Sequence, residues 1–451
     1  MPWRKKPCRS VKWLAHKFTY KCLSLYMLKP GTNKDNWPAP GEVASILFDV
    51  SIGGHHPEWL ANFLVSGHLG QWDLIVTCED TVARLIPEHR VLLENYPRVL
   101  VFPGWPSAQF FWEEFRLVLE FLKKYPQAIL VHLEISNLLK GIILMQWMPG
   151  SAGLIRRLTG VFFKSRPWFE RRQSLKKWVK YKMVDFSVSR WIWRMTGCRA
   201  GFLTKTIAEE YKQKFPERVV YVPDPLPAYL DLFPDTVDGK SAGVDGPPAL
   251  TVEQDQNNEA NCPDRDTTMD VKVRWRACLL GPQGPRKGTD FAIRALEAYW
   301  KGPEVLELVL AGSCRRCPWV VSYVPQNPYL KLTLINRVLS DEDFYRTAQQ
   351  SDVSLTPYDR HYSPSGVLLV SIYAWTPVLS TDQGHMGEEI KRTGVGRVFP
   401  PKNEEQFVFC LNELLRTSFQ VPEIGRRTLL DEHNRVDCVK AVCLLDTRQQ
   451  A

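Results

Sequence analysis

No stretch of this 451-residue chain approaches the roughly 18 uninterrupted apolar residues that a membrane-crossing helix needs. A secretory leader is not expected either, because Lys12, Lys17 and Lys21 interrupt the apolar residues near the N-terminus. No repeat of solenoid period is present. Walker and GxGxxG sequences are missing. No pair of carboxylates has a clear catalytic spacing, which excludes glycoside hydrolysis. Cysteine is present eleven times but at irregular spacing, so free thiols in a reducing compartment are expected. Cys314 and Cys317 form a lone CxxC, without the second pair or nearby histidines that a zinc site requires.

What is present is apolar and aromatic. Hydrophobic residues make up 44% of the chain, with 16 Trp, enough for two or three domain cores. The net charge of +9 is unevenly spread. Residues 1–40 hold nine Lys/Arg and one Asp, and residues 156–199 hold thirteen against Glu170 and Asp185. Residues 231–270 hold ten acids against Lys240 and Arg265. Basic blocks face anionic lipid, nucleic acid or phosphorylated ligands, or are simply solvated.

Val11, Leu14, Phe18, Cys22 and Leu25 share one face of a helix whose other face is basic. Such a segment lies on an anionic membrane surface or packs on its own domain. Short apolar runs at 46–50, 73–77, 99–102 and 128–133 alternate with helical patterns such as 111–124. A second alternation begins at 277–280 and continues through 306–311, 332–335, 353–356 and 379–381. Both predict parallel sheets covered by helices. The expected organisation is a basic segment (1–40), an α/β domain (41–230), an acidic disordered linker (231–272), a second α/β domain (273–420) and a helical tail (421–451) that packs back on the first. Ligands of such sheets bind beyond the carboxyl ends of the strands.

Three loops hold the candidate chemistry. In residues 281–288, Gly281, Gly284 and Gly288 let the backbone approach a ligand, and Arg286 and Lys287 add charge ahead of a helix. That is a diphosphate site, or a turn with two solvated cations. Ser363, Ser365 and Gly366 stand where a strand ends and a buried helix begins. They suit a phosphate or sugar hydroxyl, although Ser365 serves equally as an N-cap. Gly53, Gly54, His55 and His56 follow the first strand. The histidines are candidates for phosphate or acceptor contact and proton transfer, or for capping the next helix. His132, at a strand end, is a further catalytic candidate, and Glu79 and Glu134 are candidates for acceptor hydroxyls. His385 in Gly-His-Met-Gly is a candidate for the sugar or base, while Asp382 and Glu388 read equally as helix-start acids.

The ordered series from Gly281 to Lys287-Gly288, LVLAGS at 308–313, LSDEDFYRTAQQSDVSLTPY at 339–358, SPSGVLLVSIYAWTPVLSTD at 363–382 and GHMGEEIKRTGVGRVFPPKNEEQF at 384–407 resembles the family-4 retaining glycosyltransferases of the GT-B fold. The resemblance covers about 277–415. It implies an α/β protein of two Rossmann-like domains facing a cleft. It also implies a nucleotide-sugar donor as substrate with no further cofactor, and hexosyl-type transfer with retention. Lys287 then holds the donor diphosphate, with Arg286 beside it. No DxD motif follows an expected strand, so metal independence is expected. The acceptor is a glycan, a lipid-linked molecule or a small molecule. A cytoplasmic protein, peripheral to an anionic membrane or free of it, is expected. Nucleic acid is disfavoured, although 166–182 mixes cations with aromatics.

The sequence departs from that family where two glutamates eight positions apart are usual. Tyr362 and Val370 stand there, and Pro282 occupies the place of a common arginine. Either backbone and serines grip the donor, or the chain is an inactive binding protein on the same fold.

Overall fold

The computed structural model describes residues 37–50, 56–102, 111–146, 152–163, 166–170, 173–233 and 273–450. Residues 1–36 of the basic N-terminal segment, residues 234–272 of the acidic linker and the candidates Gly53, Gly54 and His55 lie outside these residues.

Thirteen strands form two parallel sheets among the described residues. The first contains β1 (Ser45–Phe48), β2 (Leu74–Cys78), β3 (Val99–Phe102), β4 (Ile129–His132), β5 (Leu158–Phe162), β6 (Ala200–Phe202) and β7 (Val219–Tyr221), in the order β3-β2-β1-β4-β5-β6-β7. The second contains β8 (Val273–Leu280), β9 (Val305–Ala311), β10 (Leu330–Ile335), β11 (Val353–Thr356), β12 (Val378–Thr381) and β13 (Gly396–Phe399), in the order β10-β9-β8-β11-β12-β13. In the middle of the sheets, β1, β4, β9 and β11 are buried along their length and β8 over its last four residues, as expected for parallel sheets covered on both faces.

In the first domain α1 (His56–Val65) follows β1, and α2 (Phe111–Lys124) precedes β4. The short α3 (Arg166–Glu170) and the long α4 (Leu175–Arg194) lie between β5 and β6, and α5 (Lys205–Lys214) joins β6 to β7. In the second domain α6 (Thr289–Tyr299) joins β8 to β9, and α7 (Asp341–Gln349) joins β10 to β11. Next, α8 (Gly366–Tyr373) joins β11 to β12, α9 (Gly384–Thr393) joins β12 to β13, and α10 (Glu404–Arg416) follows β13. Shorter helices fill the remaining connections.

The chain then crosses back. α11 (Glu423–Glu432) packs on α8 and α9, but α12 (Arg435–Cys443) contributes Cys438, Val439 and Val442 to the first domain's core. At the crossing, Arg435 donates to the carbonyls of Leu226 and Pro227 in the outgoing linker.

Each sheet reverses direction once: the first between β1 and β4, the second between β8 and β11. Loops that leave neighbouring strands there diverge, which opens a crevice at their carboxyl ends.

Candidate functional site

In the second domain the crevice lies between the loop after β8 and the loop after β11. Gly288 makes that approach feasible. Its φ is +75°, and a Cβ there would stand 2.1 Å from the carbonyl oxygen of Pro357. Gln283, fully buried, knits the first loop. Its amide donates to the carbonyls of Leu279 and Gly281, and its oxygen accepts from the Thr289 hydroxyl.

The loop turns Lys287 inward. Its side chain is 8% exposed, and Nζ donates to the Tyr358 hydroxyl at 2.6 Å while lying 4.3 Å from the ring centre. No carboxylate pairs with Lys287 among the described residues. A nearly buried amine whose polar side-chain partner among the described residues is a phenol, with no carboxylate beside it, is a site that attracts an anion strongly. Arg286 faces outward, 3.4 Å from Nδ1 of His361, and its carbonyl accepts from the backbone N–H of Asp359.

The serines after β11 part company. Ser365 caps α8 by position but makes no side-chain capping bond. Ser363 instead donates to the carbonyl of Phe163, in the other domain, at 2.6 Å. Gly366 opens α8, whose first N–H groups point toward the crevice end of the sheet. Tyr362 also reaches across: it stacks on Phe169 at 5.6 Å and donates to Glu170 at 3.2 Å. Val370 packs in the core beneath α8 with Cys278, Leu280 and Val309. It therefore faces away from the crevice.

Gly384 opens α9 with φ +68°, and a Cβ there would stand 2.5 Å from Cα of Tyr362. This close approach lets the backbone N–H of His385 donate to the Tyr362 carbonyl. His385 is 1% exposed, and neither ring nitrogen has a hydrogen-bond partner among the described residues. Burial, then the nearby His433, Arg392, Lys205 and His361, pull its pKa down to about 3. It is a neutral imidazole beside a helix N-terminus.

The first domain's crevice holds a compact ion cluster. Asp49, just beyond β1, lies 2.7 Å from Nδ1 of His56, and Glu134, just beyond β4, lies 3.5 Å from Nε2. Burial alone would lower the His56 pKa, but the two carboxylates outweigh it and hold the value well above the ordinary range. His56 is thus a cation between two carboxylates, leaving no lone pair for a base. His132 is enclosed too. Its Nδ1 accepts from the backbone N–H of Glu134, which fixes the proton on Nε2, and Nε2 donates to the buried Glu114 at 3.0 Å.

The structure therefore groups Gly281, Gly284, Arg286, Lys287, Ser365, Gly366 and His385 around one crevice. It commits Ser363 to the domain contact, and sets His56 and His132 in the opposite domain. Sequence reasoning missed Tyr358, Gln283, Asp49 and Glu170. Tyr358 was visible as the residue ending the strand motif, but its pairing with Lys287 spans 71 positions. Cys314 and Cys317 are buried in the second domain's core.

Residues 277–417, under half of the chain, match the family model described as glycosyl transferases group 1. No curated protein matches in sequence. Among solved structures, a glycosyltransferase from Rickettsia africae is similar with TM-score 0.54 and 13% identity, over 90% of this chain and 99% of its own. HepE from Anabaena, in complex with UDP and glucose, has the same score and identity, over 90% of this chain and 100% of its own. Sucrose-phosphate synthase from Thermosynechococcus elongatus again has 0.54 and 13%, over 90% and 99%. These likenesses identify the architecture as GT-B.

Proposed function

We propose that this protein is a glycosyltransferase that moves a sugar from a nucleotide-sugar donor to an acceptor held by the first domain. The observation that carries the reading is Lys287, a buried ammonium without a carboxylate, set at the switch point of the second sheet. The match of 277–417 to group 1 glycosyl transferases supports it, as does the complex of the similar HepE with UDP and glucose.

In this reading the donor diphosphate meets Lys287 and Arg286, and the N-terminal amides of α8 receive the remaining phosphate oxygens. As the bond from the anomeric carbon to the diphosphate oxygen breaks, the acceptor oxygen bonds to that carbon and passes its proton to the departing diphosphate, on which negative charge grows. A fixed cation and aligned amides stabilise that charge more than the ground state, which lowers the barrier. Catalysis by positioning and electrostatics needs no protein nucleophile. We read the transfer as retaining from the resemblance to family-4 enzymes, and as metal-independent because no DxD motif directly follows a strand. His56 holds Asp49 and Glu134 in place and is not the base. His385, neutral and unpaired, is the side chain suited to a sugar hydroxyl.

A second reading is a binding protein that kept the fold without turnover. Val370 in the core and Tyr362 on Phe169 favour it, since neither offers a carboxylate to a ribose.

Calorimetric titration with UDP-, GDP- and ADP-glucose, followed by mass-spectrometric detection of released nucleotide, separates the two. Binding with release supports transfer; binding without release, in the presence of a broad acceptor mixture, supports the second reading. No binding by any nucleotide sinks both.

A further inference from the structure

Helix α4 has two apolar faces, and the fold covers only one. Tyr181, Val188, Trp191 and Ile192 enter the first domain's core. On the opposite side Leu175, Trp178, Val179, Met183, Phe186 and Trp193 are exposed, with Leu175 at 76%, Met183 at 68% and Trp193 at 69%. At roughly 100° per residue these six share about 140° of arc, and they run along about 27 Å of helix. Single exposed apolar residues are ordinary, but six on one arc opposite the core, interrupted between Phe186 and Trp193 by Ser189 and Arg190, mark an interaction surface.

The charge around the stripe identifies its partner. Lys176 and Lys180 are exposed along one border, and Lys182 stands within the stripe, 5.8 Å from the Trp178 ring centre. Asp185, the helix's single acid, is occupied by the Tyr211 hydroxyl and by Lys214. Of the two acids in residues 156–199, the other is Glu170, which is buried. The face therefore presents hydrocarbon, two indoles and mobile ammonium groups with no exposed carboxylate between them.

We propose that this face docks on an anionic lipid bilayer, with α4 lying in the plane of the headgroups. Trp side chains favour that boundary, and lysine stems lie along apolar surface while their heads reach phosphate. A straight, convex helix face requires no matching groove from a bilayer. Crossing is excluded for this helix, because no helix of the described residues is long and apolar enough to span. Docking also brings the membrane to the crevice. Lys177, in the first turn of α4, pairs with Glu170 at 3.2 Å, and Glu170 accepts from Tyr362 of the loop after β11. A lipid-borne acceptor is the class favoured by that arrangement, an extension that rests on the transfer reading; the docking itself does not.

The test is cosedimentation of the full chain with vesicles of phosphatidylcholine alone, and of phosphatidylcholine mixed with phosphatidylserine. The expected result is binding to the mixed vesicles that falls about tenfold or more in the quadruple variant Trp178→Ser, Met183→Ser, Phe186→Ser, Trp193→Ser. The triple variant Lys176→Gln, Lys180→Gln, Lys182→Gln is expected to lose the preference for phosphatidylserine. Since all seven side chains are exposed, circular dichroism and thermal melting should match the parent. Equal binding by parent and quadruple variant would assign any affinity to another segment and overturn the proposal. So would a parent that binds neither vesicle, or one whose stripe drives self-association in sedimentation velocity. Nucleotide binding is read separately, so failure here leaves the donor reading standing, and failure there leaves this one.

Discussion

The phenol of Tyr362 donates to the carboxylate of Glu170 across the boundary between the two domains, at 3.2 Å, with its ring stacked on Phe169. One residue later, Ser363 bonds the Phe163 carbonyl. The loop that leads into α8 is thereby latched to the opposite domain. Tyr362→Phe removes one hydrogen bond to a buried charge, and the expected loss is about 1.5–3 kcal/mol. Urea unfolding measures it. A change below a few tenths would mean that the latch contributes little.

Lys287 sets affinity against stability. Lys287→Met removes an uncompensated buried charge and keeps its volume, so the ligand-free protein is expected to melt at a higher temperature. Nucleotide-sugar affinity is expected to fall by about 2 kcal/mol or more, roughly thirtyfold. Parallel thermal melts and calorimetry check both signs. A variant that is less stable and binds as before would place the anion elsewhere.

The two buried histidines titrate in opposite senses. His56 has its folded pKa raised, so its contribution is complete below the unfolded value of about 6.5 and fades as pH rises through the folded one. His385 has its folded pKa lowered to about 3, so stability is lost as pH falls below about 6.5. Unfolding free energy against pH should therefore flatten on its alkaline side in His56→Gln, and on its acid side in His385→Asn. Unchanged slopes in both would refute the assignment.

Glycines differ by what surrounds them. Gly288→Ala and Gly384→Ala combine positive φ with backbone atoms closer than 3 Å, and a cost of about 3 kcal/mol or more is expected. Gly394 has φ +70° but nothing within 4 Å, so Gly394→Ala should cost only about 1 kcal/mol. Chemical denaturation of the three variants would expose the idea as wrong if they lost equal stability.

Val370→Glu tests the reading of the missing carboxylate. Because Val370 packs among Cys278, Leu280 and Val309, the new acid would enter the core. The expected outcome is marked loss of folded protein without gain in nucleotide affinity, read by thermal melting and calorimetry. A stable variant with tighter binding would show that the side chain reaches the ribose.

Local chemistry determined much of this molecule in advance. Unbroken apolar runs such as 277–280 gave strands because a parallel strand buried on both faces is apolar along its length. The helix at 111–124 was legible from its periodicity, and the loop 281–288 from glycines beside two cations. The strands at 200–202 and 219–221 were not legible, being too short to show a period. Nor was the membrane-like face of α4, since residues 166–182 read by sequence were only a mixture of cations and aromatics. Which apolar residues of that helix are covered depends on what packs against it. The tertiary structure alone decided that Lys287 meets Tyr358, that His56 meets Asp49 and Glu134, and that Tyr362 meets Glu170. Each partnership joins the ends of different strands or domains, and no local pattern specifies which strand lies beside which. Burial then fixed the chemistry: it left Lys287 without a carboxylate partner among the described residues, His385 neutral and Val370 in the core.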